Sequence, residues 1–162
     1  MRFVATAAIR PLLRETLGTS FAIAPLAGGL LNQHLLVTTN AGSKLVFKAY
    51  RPVMPRAKVD EMHRMMAHAA RRGIAVPLPI ATYEIAGHVA GLYPFVEGAH
   101  PSRYSVGVRR VAAMGETLGR VDRALDSFRP SAPKPSSLDL APWDAEKFVG
   151  EIAAIRASLR GK

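Results

Sequence analysis

The stretch that decides the fold is KLVFKAY, from Lys44 to Tyr50, because its side chains alternate in character. Successive side chains of a β-strand point to opposite faces of the sheet. The apolar set predicts a face turned to the core: Leu45, Phe47 and Ala49. The other set lies on the opposite face and includes two lysines: Lys44, Val46, Lys48 and Tyr50. The segment therefore predicts one strand of a sheet that is buried on at least one side.

Two further strands are predicted upstream of this segment. Residues 21–26 and 31–39 are rich in apolar and β-branched side chains and flank the pair Gly28-Gly29. Asn40 and Gly42 then tolerate the positive φ angles of a tight hairpin. The chain should turn back there into the strand from Lys44, which gives three antiparallel strands.

Downstream, the pattern changes from strand to helix and back to strand. Residues 56–72 carry an apolar stripe at helical spacing, and Gly73 predicts the end of that helix. Two more strands, 80–86 and 89–95, are predicted on either side of Gly87. The result is an α+β fold, a five-stranded antiparallel sheet with one helix inserted after the third strand.

The C-terminal part of the sequence predicts helices. The helix predicted for 105–125 should bury an apolar stripe: Val108, Val111, Met114, Leu118, Val121 and Leu125. Asp122 falls on the same side of this predicted helix. The Pro- and Ser-rich segment 129–137 is typical of a linker. A last helix is predicted from Trp143 to Leu159.

Composition excludes several classes of protein. The chain has 162 residues and no cysteine, which excludes a disulfide scaffold and a thiolate metal site. Arg10 and Arg14 interrupt the first apolar run, so we expect no export signal and a cytoplasmic protein. The uncharged stretch 16–43 is broken by Pro25 and Gly28, so we expect no membrane span.

The net charge of +10, from 22 basic against 12 acidic side chains, raises the question of nucleic acid. The basic residues form no continuous run, and the aromatic residues do not alternate with arginines as a stacking platform requires. We therefore do not expect nucleic-acid binding. His63 and His68 are five residues apart, which is not the spacing of two metal ligands on one helix face.

A glycine pair between two strands, with a lysine in the next strand, suits a nucleotide triphosphate. Gly28 and Gly29 would let a hairpin cover the phosphates, and Lys48 would reach them with its ammonium group. A buried lysine needs an anionic partner, and Glu61, next to Asp60 on the predicted helix, is the best placed carboxylate. The alternative is an ordinary hairpin with Lys48 on a solvated face.

Five segments, taken in order, resemble one family of small-molecule kinases. They are AGGLLN at 27–32, LLVTT at 35–39, LVFKAYRP at 45–52, GIAVPLP at 73–79 and GLYPFVEG at 91–98. Together they resemble the N-terminal lobe of the aminoglycoside phosphotransferase family, which includes choline-kinase-like and homoserine-kinase-like enzymes. The resemblance implies a protein-kinase-like N-lobe that binds ATP.

The resemblance also implies which residues contact the phosphates. Gly28, Gly29 and Asn32 would shape the loop that covers them. Lys48 would contact the phosphates directly, and Glu61 would orient Lys48.

The adenine would be held by other residues of the same lobe. Val46, two residues before the lysine and on the same face, would cover the ring. The hinge between the lobes, whose backbone reads the adenine edge, would run from Tyr93 through Phe95 to Glu97.

Phosphoryl transfer in this family needs residues that the sequence does not contain. The family pattern is roughly His-x-Asp followed by an Asn, with a later Asp that holds magnesium. No His-x-Asp occurs here, and Asn32 and Asn40 both lie far upstream. We therefore expect residues 1–97 to form the nucleotide-binding N-lobe, and 98–162 the hinge, linker and first helices of an incomplete C-lobe. This chain alone should not turn over ATP, and magnesium would bind only with the missing lobe supplied.

An alternative function is a non-catalytic module that binds a nucleotide or a protein. The predicted last helix carries an apolar stripe that would dock a complementary C-lobe polypeptide or a second copy of the chain: Phe148, Ile152, Ile155 and Leu159.

Overall fold

The computed structural model describes residues 4–27, 31–98 and 107–131. Its elements are helix α1 (Thr6–Leu17), strands β1 (Phe21–Pro25), β2 (Gln33–Thr39) and β3 (Lys44–Ala49), helix α2 (Arg56–Arg71), strands β4 (Ala81–Ile85) and β5 (His88–Pro94), and helix α3 (Val108–Leu125). The strands form one antiparallel sheet in the order β1-β2-β3-β5-β4. The predicted five-stranded sheet with its inserted helix is confirmed.

Two tight turns set the register of the sheet. Gly42 has a φ of 82° in the turn between β2 and β3, and its N–H donates to the Thr39 carbonyl over 2.9 Å. The turn between β4 and β5 holds Ala86 at φ 49° and Gly87 at φ 74°. Positive φ at both central residues is the geometry that matches the twist of antiparallel strands.

Helix α1 covers one face of the sheet and was not predicted from the sequence. Ile9 and Leu13, one helical turn apart, are fully buried in one core cluster with Phe47 and Leu92. The side chain of Gln33 accepts from the Val4 N–H over 2.8 Å and donates to the Val4 carbonyl over 3.0 Å. The face predicted to be buried from the alternation in β3 is therefore the face on which α1 packs.

Helix α2 packs on the opposite face, which we call the lysine face because Lys48 lies on it. Val59 of α2 is fully buried beside Tyr50 and Val89, with Met62 against the same cluster. The helix ends as predicted, because Gly73 adopts φ 79° and its N–H donates to the Ala70 carbonyl over 3.0 Å.

Helix α3 differs from its prediction. It contacts α2 at its C-terminal end, where Ala124 is buried and the Phe128 ring lies 5.5 Å from the ring of His68. Asp122, placed on a buried stripe by the sequence pattern, is exposed. Four apolar residues of that stripe are also more than half exposed: Val108 (86%), Val111 (56%), Met114 (60%) and Leu118 (61%). The burial predicted for this stripe was wrong because α2 covers only the last turn of the helix.

The predicted helix from Trp143 to Leu159 and its apolar stripe lie outside the described residues. Within the ranges given above, no helix is long and apolar enough to span a bilayer.

Candidate nucleotide site on the lysine face

The pairing of β3 with its two neighbours places Lys48 near the middle of the sheet. Lys48 is opposite His34 on one side and Gly91 on the other. Its side chain is half-buried, and burial lowers the pKa of the ammonium group from its ordinary value of 10.5. The Nζ atom lies 4.6 Å from the centroid of the Tyr50 ring. An aromatic face attracts a cation at that distance.

Val46 lies on the lysine face next to Lys48, as the alternation predicted. It pairs with Leu36 of β2 and Tyr93 of β5 and is half-buried. The structure thus brings Val46, Lys48 and Tyr93 together on one face of two adjacent strands.

A chain of hydrogen bonds runs beneath Lys48 and ends on α2 and β4. The hydroxyls of Tyr50 and Tyr93 are 2.6 Å apart, and the Tyr93 hydroxyl lies 2.6 Å from Nε2 of His63. Nδ1 of His63 is 3.3 Å from Oγ1 of Thr82. Each of these hydrogen bonds has one donor and one acceptor if the Tyr50 hydroxyl donates to Tyr93, the Tyr93 hydroxyl donates to Nε2 of His63, and Nδ1 of His63 donates to Thr82.

Burial disfavours the charged forms of Tyr50, Tyr93 and His63. Desolvation and the hydrogen bond with Tyr50 raise the pKa of Tyr93 well above its ordinary range. Desolvation also raises the pKa of Tyr50, against the opposing effect of the Tyr93 hydrogen bond. The pKa of His63 is lowered chiefly by desolvation, against the opposing effect of Asp60, and the positive charges of Arg56 and Lys48 lower it further.

The structure does not bring Glu61 to Lys48. Glu61 forms an ion pair with Arg64, three residues along α2. Among the residues that the structure describes, Lys48 forms no ion pair, and its ammonium lies over the Tyr50 ring. The ammonium is therefore stabilised by a neutral ring at the place where a carboxylate was predicted.

The predicted phosphate loop is described only at its ends, because Gly28 and Gly29 lie outside the described residues. The Leu26 N–H donates to the His34 carbonyl over 3.1 Å. Oδ1 of Asn32 accepts from the Arg51 N–H over 3.2 Å. Asn32 thus ties the segment that follows the loop to the end of β3.

The predicted hinge continues β5 without a break. The Phe95 N–H donates to the Lys44 carbonyl over 3.1 Å, so this amide is already used within the sheet. Nζ of Lys44 pairs with Glu97 over 2.7 Å and lies 5.6 Å from the Phe95 ring. The side chain of Tyr93, the first hinge residue, turns inward and is 7% exposed.

Potential metal ligands are not clustered in the part of the chain that the structure describes. No group of three or more His, Cys, Asp or Glu side chains within the described ranges could hold a metal ion.

Sequence reasoning did not identify Tyr50, His63 or Gly91 as members of the site. Tyr50 follows Lys48 by two residues, so strand periodicity alone places it on the lysine face. A Cβ atom at Gly91 would lie 2.6 Å from Cε2 and Oη of Tyr93, so the absent side chain makes room for that ring. His63 gave no signal, because its partner lies on a strand thirty residues away.

Similarity to known proteins also indicates a phosphotransferase family. A family model described as APH, phosphotransferase enzyme family, matches residues 22–161. A homoserine kinase of Afipia carboxidovorans is 28% identical over 152 residues, covering 89% of this chain and 45% of that protein. A homoserine kinase of Chelativorans sp. is 29% identical over 119 residues, covering 68% of this chain and 36% of that protein. The chain thus spans less than half the length of these relatives.

The fold resembles that of a solved kinase. The structure of amicoumacin kinase in complex with AMP-PNP, Ca2+ and Ami matches with a TM-score of 0.63 at 15% identity, covering 76% of this chain and 42% of that one. At that identity the likeness establishes the fold, a kinase-like N-lobe built on a five-stranded antiparallel sheet.

Proposed function

Because the chain belongs to the APH phosphotransferase enzyme family, we propose that it is the nucleotide-binding part of an ATP-dependent phosphotransferase that acts on small hydroxylated substrates. The family resemblance and the kinase-like fold drawn from the sequence are both confirmed. The matched relatives are kinases of homoserine and of amicoumacin, which supports a small-molecule acceptor.

The observation that carries the proposal is the state of Lys48. Its ammonium is half-buried on the lysine face and forms no ion pair with any residue that the structure describes. Removing a charge from water is unfavourable unless an opposite charge compensates it. Triphosphate oxygens would supply that charge, so the site is arranged to gain from binding an anion there.

The remaining residues would hold the rest of the nucleotide. Val46 would cover the adenine, and the backbone of the segment from Tyr93 through Phe95 to Glu97 would face its edge. Gly28, Gly29 and Asn32 would form the loop over the phosphates. The role predicted for Glu61 is not supported by its pairing with Arg64.

We expect a polypeptide of these 162 residues to bind nucleotide without transferring phosphate. The sequence holds no His-x-Asp base motif followed by an Asn. Incubation with ATP and homoserine should therefore release no ADP. ADP release that disappears in Lys48→Ala would contradict this part of the proposal.

The test of binding is calorimetric titration with AMP-PNP. Lys48→Met keeps most of the length of the side chain and removes its charge. Lys58→Met makes the same change at an exposed lysine on α2. A hydrogen bond to a charged group contributes about 1.5–3 kcal/mol, so Lys48→Met should weaken binding roughly 10- to 100-fold. Lys58→Met should bind as the parent does. Equal affinities in the two variants, or a parent that does not bind, would overturn the proposal.

A second candidate function, docking of a protein partner, is favoured by the exposed face of α3. Met114, Leu118 and Val121 line a groove of about 450 Å³ on that helix. Its occupant would be a polypeptide carrying the C-terminal half of the family's chain, since this chain spans less than half of its relatives.

Sedimentation velocity with the C-terminal half of the Afipia carboxidovorans homoserine kinase tests this docking. A complex that Leu118→Asp abolishes, while Arg109→Asp leaves it intact, would support docking on α3. Absence of any complex, or equal loss in both variants, would refute it.

A further inference from the structure

The group next to the Lys48 ammonium is the uncharged ring of Tyr50, and this affects how Lys48 can bind an anion. A carboxylate beside the ammonium would cancel much of its charge, whereas an aromatic face attracts the cation without adding a negative charge. Lys48 lies 4.6 Å from the Tyr50 ring centroid, and within the described part of the chain no carboxylate at that position competes with an incoming anion. The orientation of this lysine then depends on how firmly the ring of Tyr50 is held.

Tyr50 is held at both ends of its side chain. It is 2% exposed and packs against Val59 of α2 and Val89 of β5. Its hydroxyl is 2.6 Å from that of Tyr93, which is itself fixed by His63 at 2.6 Å. Packing restricts the ring, and the hydrogen bonds restrict its outer edge.

We propose that Tyr50, Tyr93 and His63 form a positioning chain that fixes Lys48 toward the phosphates and couples it to helix α2, in place of an ion pair with Glu61. The proposal rests on the proposed function, because it assigns the phosphates as the target of Lys48. Tyr50 contacts the lysine, and Tyr93 and His63 act through Tyr50.

The positioning chain links the same two elements, β3 and α2, that an ion pair between Lys48 and Glu61 would link. Lys48 belongs to β3 and His63 to α2, and Thr82 of β4 lies 3.3 Å from the far side of the imidazole. A displacement of α2 would therefore move His63 and release the tyrosine hydroxyls. We expect loss of any one hydroxyl to loosen Lys48 without removing its charge.

The experiment observes the lysine directly, by NMR of the full chain with 13C-labelled lysine. Protons above an aromatic ring are shifted upfield, so the ε-methylene signal of Lys48 should differ from that of exposed Lys58. Tyr50→Leu removes the ring and identifies the signal. Tyr93→Phe keeps the ring of Tyr93 and removes the middle hydroxyl of the chain.

Tyr83→Phe is the matched control. Its hydroxyl lies 2.7 Å from Oγ1 of Thr16, on the face of the sheet covered by α1. We expect the Lys48 signal to move toward that of Lys58 in Tyr93→Phe and to stay in place in Tyr83→Phe. AMP-PNP affinity should fall roughly 3- to 10-fold in Tyr93→Phe only, in line with one hydrogen bond of about 1 kcal/mol.

An unchanged Lys48 signal in Tyr93→Phe, or an equal change in both variants, would overturn the proposal. If Tyr93→Phe does not fold, Tyr50→Phe breaks the same hydrogen bond from the other side and must give the same result. If the Lys48 signal shifts in Tyr93→Phe but the protein binds no AMP-PNP, the result would support the positioning chain and refute the proposed nucleotide site. The two failures are thus distinguishable.

Discussion

Gly91→Ala is expected to destabilise the protein strongly because of a single close contact. A Cβ at this position would lie 2.6 Å from Cε2 and Oη of Tyr93 and 2.7 Å from Cζ. Heavy atoms cannot approach so closely, so the ring must move. Tyr93 is 7% exposed and hydrogen-bonded to both Tyr50 and His63, so a shift of the ring disturbs those contacts.

The magnitude follows from two contributions. Overpacking a well-filled core costs about 1–3 kcal/mol. Displacing the Tyr93 hydroxyl loses hydrogen bonds of about 1 kcal/mol each. We therefore expect the free energy of unfolding to fall by about 2–4 kcal/mol, a large part of the roughly 5–15 kcal/mol that holds a domain folded.

Urea denaturation followed by circular dichroism measures this change. Gly98→Ala is the control, because a Cβ there meets nothing within 4 Å, and it should stay within about 0.5 kcal/mol of the parent. In a Tyr93→Leu background the ring is gone, and Gly91→Ala should cost much less. A cost below about 0.5 kcal/mol in the parent, or no coupling with Tyr93→Leu, would refute the reasoning.

Three further predictions test charge, protonation and backbone strain. Lys48→Met should raise the free energy of unfolding of the nucleotide-free protein at pH 7, because burial lowers the pKa of the ammonium and so disfavours its charged form; urea midpoints equal to or below the parent's would contradict this. Because burial lowers the pKa of His63 from 6.5, the native state resists its protonation, and stability should fall as the pH drops below about 6.5. His63→Gln should flatten that part of the pH profile, and an identical slope would exclude His63 as its source. Ala86 has a positive φ, so Ala86→Asn should increase the free energy of unfolding by about 0.5–1 kcal/mol and raise the melting temperature. Ala41→Asn in the other turn is the control, and equal effects at both turns would count against strain at Ala86.

The sheet was predictable because its signals are local. Alternation from Lys44 to Tyr50 assigned the two faces correctly, and Phe47 and Ala49 are fully buried as expected. Glycine marked the turn at Gly42 and the end of α2 at Gly73. Each of these features depends on neighbours in sequence, which is the information that a single chain provides.

The helices were less predictable because their burial depends on distant partners. Helix α1 was not predicted, although Ile9 and Leu13 have regular helical spacing and are both fully buried. The stripe on α3 has the right period, yet Met114 and Leu118 remain exposed because α2 reaches only the end of that helix. Periodicity identifies which side of a helix is apolar, but not whether another element covers it.

Lys48 stays a predicted site residue, and the structure differs from the sequence prediction in which side chain lies beside it. Glu61 was chosen as the best placed carboxylate on the following helix, but it pairs with Arg64 on its own helix. The chain through Tyr93 and His63 joins residues thirty positions apart, so only the folded sheet reveals it.

The central claim is that the ammonium of Lys48 faces nucleotide phosphates. An acyl-phosphate derivative of ATP tests it most directly, since a lysine amine near the phosphates attacks the acyl carbon, forms an amide and releases ATP. Mass spectrometry of the labelled chain should find the acyl group on Lys48, with labelling suppressed by excess ATP. Labelling spread over Lys44 and Lys58, or labelling of Lys48 that ATP does not suppress, would contradict the account.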